Sequence, residues 1–223
     1  MNLLFQLFEN SPLTTYSNGR TICVLNSEKV PNIYFIKYGY VKCYTISDDG
    51  DELIVMILGR NEMFPLIPLA NNHTTYRYKK VFFEALGTAK LLVIPAEILT
   101  SKALNEIEVT TALLQHINER YFISIQRIDN LSHKGAYYKL VNCLYFLAKQ
   151  YGHKQGDTAF LDSVFTHKLI ANSINLTRGT VTREFEKLRE KNIVSNKKRR
   201  IYIESMQRLS DEISEPNNAE VLN

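Results

Sequence analysis

Two arginines stand five residues apart in Leu176-Thr177-Arg178-Gly179-Thr180-Val181-Thr182-Arg183, a run crowded with hydroxyls. A guanidinium donates its N–H groups in a planar fork, which matches the O6 and N7 acceptors of guanine in a DNA major groove. Such side chains need a rigid element slim enough for the groove, and an α-helix qualifies. Thr177 is placed to cap one, and Val181, Phe185 and Leu188 recur at i, i+4 and i+7 as its buried stripe. At about 100° per residue, Gly179, Thr182, Arg183 and Glu186 point away from that stripe, while Arg178 in the first turn can reach past the helix end. Upstream, Thr166 is a second N-cap, opening a helix that ends near Ser173 with Leu169, Ile170 and Ile174 on its apolar side. The stretch therefore predicts two helices joined by a tight turn.

A second basic element follows. Ile193-Val194-Ser195 and Ile201-Tyr202-Ile203 are short β-prone runs around Asn196-Lys197-Lys198-Arg199-Arg200, which predicts a wing whose tip suits a phosphate backbone. Residues 165–203 hold ten Lys/Arg against three Asp/Glu, a net of about +7, and the stretch from Glu204 onward is about −4. The charge is concentrated on one element, which says more about partners than the sequence pI of 8.8.

Composition sets the wider limits. With 45% hydrophobic and 22% charged residues over 223 positions, the chain has material for a sizeable core in one or two domains. No uncharged apolar run approaches the ~18–20 residues of a membrane span. The start, MNLLFQLFENSPL, lacks the basic and apolar regions of a secretory signal, so the chain is expected to stay in the compartment where it is made. Cys23, Cys43 and Cys143 are few, scattered and odd in number, which favours reduced thiols over a disulfide framework. The histidines, at 73, 116, 133, 153 and 167, form no HxH or HxD pair, and GxSxG, P-loop and GxGxxG motifs are absent. Neither catalysis nor a metal site is expected.

Residues 21–94 read as a string of strands: 21–25, 33–37, 40–46, 52–58, 79–86 and 90–94. Gly39, Asp48-Asp49-Gly50, Gly59-Arg60-Asn61 and Gly87 are the turn signals between them. Many strands at this spacing predict a jelly-roll barrel. Pro95 is expected to open a helical region as its first residue. From about Leu104 to Leu131, Ile107, Leu114, Tyr121 and Ile128 recur every seven residues, with Leu104 and Ile125 on the neighbouring seam. This seam predicts pairing with a second copy, one-sided packing on the barrel being the alternative. A further helix over about 135–151 ends at Gly152, and GHKQGD reads as a linker. The domains are thus expected at 1–98 (sensor barrel), 99–152 (dimerisation and hinge-proximal helices), 153–205 (winged helix-turn-helix) and 206–223 (acidic tail), an α+β chain.

Barrel, long helix and winged helix, in that order, resemble the CRP/FNR family of transcription regulators across nearly the whole chain. IYFIKYGYVKCYTISDDGDELIVMIL resembles that family's barrel hairpins, and LTRGTVTREFEKLREKNIVS is similar to its recognition helix. Within the family the likeness is to the global nitrogen regulators of cyanobacteria and red-algal plastids, carried by LSHKGAYYKLVNCLYFLAKQYG and the Lys-Lys-Arg-Arg wing. The resemblance implies a homodimer on a palindromic double-stranded DNA operator, with RNA polymerase as a further partner. It makes Arg178 and Arg183 the base-reading candidates, and Gly179 replaces a glutamate frequent in the family. Thr166, Lys168, Thr177, Thr180, Thr182, Lys197, Lys198 and Arg199 become phosphate-contact candidates. Thr180 is equally readable as a helix-stabilising residue.

The barrel loop 64–80 lacks the Gly-Glu and Arg-Ser pairs of cyclic-nucleotide binders, and the N-terminus lacks the cysteine cluster of iron–sulfur members. The nitrogen regulators sense 2-oxoglutarate, a dianion that needs cationic contacts and backbone donors. The resemblance places Arg120, Phe64, Leu66 and Ile67 at its effector site, with either Arg77 or Lys79 as the strand cation. Two departures stand out: Pro65 replaces a glycine and removes an N–H donor, and Ile125 stands where an acidic partner is expected. Arg120 also reads as an exposed helix arginine paired with Glu119 or Asp129. The effector is thus 2-oxoglutarate, or the chain has lost or changed its effector and acts constitutively.

Overall fold

The computed structural model describes residues 3–25, 31–65, 80–132 and 135–214. They fall into two compact units, Met1–Ser124 and Ile125–Asn223.

The first unit is an antiparallel jelly-roll barrel with helices at its ends. After α1 (Leu3–Phe8) come β1 (Leu13–Tyr16), β2 (Thr21–Leu25), β3 (Asn32–Ile46), β4 (Glu52–Leu58), β5 (Met63–Phe64) and β6 (Val81–Pro95). The strand order is β1-β6-β3-β4, with β2 added to β6 and β5 added to β3. The Asp48-Asp49-Gly50 hairpin forms as the sequence predicts: Ile46 pairs with Glu52, and the Gly50 N–H donates to the Ser47 carbonyl at 3.1 Å. Gly39 and Gly87 behave differently from the reading as turns. Each bends one continuous strand, so 33–37 and 40–46 merge into β3 while 79–86 and 90–94 merge into β6, whose described residues start at Val81. Gly39 has φ +83°, the β3–β6 register shifts just before it and again across it, and the place of its missing Cβ falls against the Thr88 carbonyl oxygen. Two apolar clusters fill the barrel. Phe35 packs against Phe5 and Phe8 at ring centroid distances of 5.7 and 5.3 Å, and Phe64 stacks between Tyr34 and Phe83 at 5.3 and 4.8 Å.

Pro95 is the last residue of β6 and the N-cap of α2 (Ala96–Asn105), not the first helical residue. Glu106 is extended and separates α2 from α3 (Ile107–Ser132), so Leu104 lies on the shorter helix. Within the first unit α3 has two apolar faces. Val109 and Leu113 are buried with Leu4, Phe8, Phe35 and Leu99, and His116 lies buried on the same face. On the other side Ile107, Leu114, Ile117, Tyr121 and Phe122 are exposed, and Ile125 and Ile128 continue the exposed series beyond the boundary between the units. Barrel packing and a free heptad seam, set against each other in the sequence reading, coexist on one helix.

The second unit carries α4 (Ala136–Tyr151), β7 (His153–Gln155), β8 (Thr158–Leu161), α5 (His167–Ile174), α6 (Arg178–Glu190), β9 (Val194–Lys197), β10 (Arg200–Ile203) and α7 (Met206–Ser214). GHKQGD is not a linker. It forms the β7–β8 hairpin, with Gln155 paired to Thr158 around Gly156 at φ +60°, and β8 joins the wing in a sheet ordered β7-β8-β10-β9. The wing strands are longer than predicted: Lys197 and Arg200 pair in the ladder, and only Lys198 and Arg199 turn the corner. The acidic stretch from residue 206 opens as a folded helix rather than a tail. Asp157 accepts from the Ser205 hydroxyl (2.6 Å) and the Gln207 N–H (3.0 Å), which holds the start of α7, and Leu209 is fully buried.

Among the described residues no helix is long and apolar enough to cross a membrane, and no group of three His, Cys, Asp or Glu is placed to hold a metal ion. The three cysteines are free thiols, and burial pushes Cys23 and Cys143 up to about 12. A methyl group at position 39 would meet backbone rather than a yielding side chain. Gly39→Ala should therefore lower stability by at least about 1–2 kcal/mol, the cost of a left-handed non-glycine residue, seen as an earlier denaturant midpoint at unchanged slope.

Candidate nucleic-acid interface

The interface is built from caps outward. Thr166 at the N-cap of α5 accepts from the Leu169 N–H at 3.2 Å, and Asn175 in the left-handed conformation ends the helix. Thr177 then caps α6, its hydroxyl accepting from the Thr180 N–H at 3.1 Å. Val181, Phe185 and Leu188 are fully buried, and this sets the rotation of α6 about its axis. With that stripe inward, Arg178, Gly179 and Arg183 are exposed along the N-terminal half of the helix. Glu184 and Glu186 pair one turn on with Lys187 and Arg189, so part of the basic charge on the C-terminal half is balanced locally.

The threonine hydroxyls make two separate sets of contacts. Thr180 Oγ1 lies 2.9 Å from Thr177 Oγ1 and accepts from Arg183 Nη2 at 3.3 Å, so it orients the guanidinium of a base-reading candidate. Thr182 donates its one hydroxyl proton to the Arg178 carbonyl at 3.0 Å. The contact between His167 Nδ1 and Thr182 Oγ1, also 3.0 Å, must then run from a protonated Nδ1. The His167 ring packs on Phe185 at 4.7 Å, and burial, then Arg178, lowers its pKa and keeps it neutral. Sequence reasoning named His167 only among scattered histidines. Its place beside the Thr166 cap was visible, but its partner fifteen residues on was not. Lys168 is exposed one position further along α5.

The wing divides its four cations. Lys197 bonds to Glu204 at 2.7 Å and lies over the Tyr202 ring at 5.2 Å, and Glu204 has its pKa lowered by hydrogen bonds from Lys197 and Ser195. Arg200 covers the Phe160 ring at 5.0 Å. Lys198 and Arg199, at φ +49° and +62°, make the exposed tip of a two-residue hairpin. Arg178, Arg183, Lys198 and Arg199 thus stand exposed on one winged unit, as candidates for contacts with base edges and backbone.

The effector candidates fall into three groups. Phe64 has its ring in the barrel core, leaving its backbone for any ligand contact. Leu66, Ile67, Arg77 and Lys79 lie outside the described residues. Arg120 has a partner that the sequence reading, which set it beside Glu119 or Asp129, did not name. Its guanidinium meets the carboxylate of Glu62, a residue 6% exposed on the turn between β4 and β5. Burial raises the Glu62 pKa, opposed by Arg120 and by the Gly59 N–H that donates to its other oxygen.

Comparison with known proteins agrees with this division. Residues 13–105 match the cyclic nucleotide-binding domain, and residues 138–212 match the Crp-like helix-turn-helix domain. The chain is 26% identical to the global nitrogen regulator of Synechococcus elongatus over 199 residues, covering 89% of this chain and 88% of that one. It is 27% identical to the global nitrogen regulator of Nostoc over 189 residues, 85% of this chain and 83% of the other. Among solved structures, FixK2 from Bradyrhizobium japonicum superposes with a TM-score of 0.75 at 18% identity, covering 90% of this chain and 96% of that one. A CRP/FNR regulator from Thermus thermophilus, TTHA1359, gives 0.69 at 18% identity, over 92% and 99%. With a cyclic nucleotide-binding-type barrel and a Crp-like DNA-binding unit in one polypeptide, this chain belongs to the CRP/FNR family of DNA-binding transcription regulators.

Proposed function

We propose that the chain is a homodimeric nitrogen-control regulator that binds a palindromic operator and answers to 2-oxoglutarate at Arg120. The observation that carries the DNA half is the exposure of Arg178 and Arg183 on the N-terminal half of a helix whose opposite stripe is sealed. A second copy is favoured by the free face of α3: Ile107 and Leu114 are 72% and 61% exposed, and a seam from residue 107 to 128 runs about 32 Å at 1.5 Å per residue. Two copies would present two recognition helices to successive major grooves, with half-sites about 34 Å apart. Cytoplasm or plastid stroma suits such a regulator, and RNA polymerase is its expected further partner.

The effector half rests on similarity to global nitrogen regulators and on a semi-buried arginine where α3 meets the barrel. A ligand there would bias the population of two dimer states that aim the DNA-binding units differently. A second reading, effector-independent action, is favoured by the Glu62 carboxylate, which already neutralises Arg120. Selection of bound duplexes from a random pool, with and without 2-oxoglutarate, separates the two. A palindrome recovered only with the ligand supports control by it, and the same palindrome at the same affinity in both arms supports constitutive action. A monomer that ignores duplex at low salt would defeat both.

Two substitutions sort the contacts. Arg183→Ala should relax base preference by about 1–3 kcal/mol, measured as the affinity ratio between selected and scrambled duplexes. An equal loss on both would remove Arg183 from base reading. Lys198→Gln together with Arg199→Gln should weaken all duplexes alike and flatten the log–log salt slope by roughly two units, near 0.9 per phosphate contact. An unchanged slope would take the wing out of the interface.

A further inference from the structure

Arg120 and Glu62 meet in the first unit under conditions that a surface ion pair never experiences. Glu62 is 6% exposed and the Arg120 side chain 16%. A carboxylate this buried is costly to leave unpaired: Oε1 lies in the ion pair with Arg120, without a hydrogen bond of its own among the described residues, and Oε2 accepts from the Gly59 N–H. The turn that carries it is fastened to the barrel, because the Asn61 N–H donates to the Ile36 carbonyl at 2.9 Å and the Ile36 N–H to the Glu62 carbonyl at 2.8 Å. The carboxylate is thus delivered to Arg120 by the fold itself.

The cluster is not saturated. Arg120 Nε has no hydrogen-bond partner among the described residues. One turn earlier on the same face, His116 is 6% exposed, its ring bonds to the Met63 backbone, and its Nε2 also lacks a partner. With Glu62 Oε1, three buried polar atoms of one cluster lack hydrogen-bond partners among the described residues, and each costs free energy while it stays unsatisfied. They are donor and acceptor positions still open to a polar ligand.

We propose that Glu62 is a tethered carboxylate that competes with an incoming small dicarboxylate for Arg120, so that effector binding at this site is an exchange of one carboxylate for another. The proposal rests on the reading of Arg120 as an effector contact. An intramolecular competitor acts at a high effective concentration, and apparent affinity falls by the fraction of time the arginine is free. If Glu62 holds Arg120 nine-tenths of the time, the effector binds about tenfold more weakly than to the vacant arginine. Release of Glu62 also loosens α3 from the β4–β5 turn, which gives ligand occupancy a mechanical consequence in the barrel unit.

The test is calorimetric titration of 2-oxoglutarate into full-length wild type, Glu62→Gln and the double variant Glu62→Gln, Arg120→Gln. Glutamine keeps the size of the side chain and an acceptor for Gly59 while removing the charge. Glu62→Gln should bind the ligand at least about tenfold more tightly than wild type, and the double variant should lose that binding. A side chain with only a structural role would lower thermal stability without raising ligand affinity. Equal affinity in wild type and Glu62→Gln would overturn the inference and leave the 2-oxoglutarate reading standing. No binding by either, with operator binding retained, would overturn both while sparing the DNA-binding reading. Should Glu62→Gln fail to fold, Glu62→Asp withdraws the carboxylate by one methylene and carries the same test: tighter binding than wild type supports exchange, and unchanged binding ends it.

Discussion

Everything this protein presents to DNA depends on three side chains that face the other way. Val181, Phe185 and Leu188 are fully buried, and burying each is worth roughly 1.5–3 kcal/mol. The exposed ion pairs along the same helix contribute at most about 1 kcal/mol each, and a glycine at position 179 costs about 1 kcal/mol of helix propensity. Packing therefore outweighs charge in fixing the rotation of α6. That ordering lets Arg178 and Arg183 stay exposed without the helix turning to hide them. The threonine caps then trim the orientation: Thr177 closes the helix start, Thr180 steadies Arg183, and Thr182 ties His167 to the turn below.

The same economy operates on α3. One stripe, Val109 and Leu113, anchors the helix in the first unit, and the opposite stripe is left apolar and exposed. Arg120 belongs to the anchored side, where it meets Glu62 of the barrel. Tyr121 and Phe122, its immediate neighbours in the chain, lie exposed on the free side. A single turn of helix thus carries both an ion pair with the barrel and part of a surface suited to a second copy.

How much of this could be read from residues alone follows from how local each signal is. The two capped helices, the Asp-Asp-Gly hairpin and the α6 stripe are written within a few residues of each other, and the structure repeats them with α5 ending one residue later. Gly39 and Gly87 were ambiguous because the same positive φ serves a chain reversal and a bend in a long strand; only pairing between β3 and β6 decides, and that pairing spans fifty residues. The β7–β8 hairpin is too short and polar to show alternation, and α7 hides in acidic composition because its folding depends on Asp157 and on a socket for Leu209. Glu62 is the extreme case. A lone glutamate in a turn carries no periodicity, and its partner lies on a helix far along the chain. Ile117 and Phe122 also lie on the free face, but they sit beside the heptad positions and the seven-residue repeat did not pick them out.

The thiols have a practical corollary. Thiolate, not thiol, attacks electrophiles, and burial pushes Cys23 and Cys143 up to about 12, so both sulfurs stay protonated at neutral pH. Cys43 is sealed inside the barrel. The polypeptide is therefore a quiet chemical background, in which a single cysteine grafted onto the wing tip would take up a maleimide fluorophore site-selectively and report the wing's surroundings without prior removal of the native sulfurs.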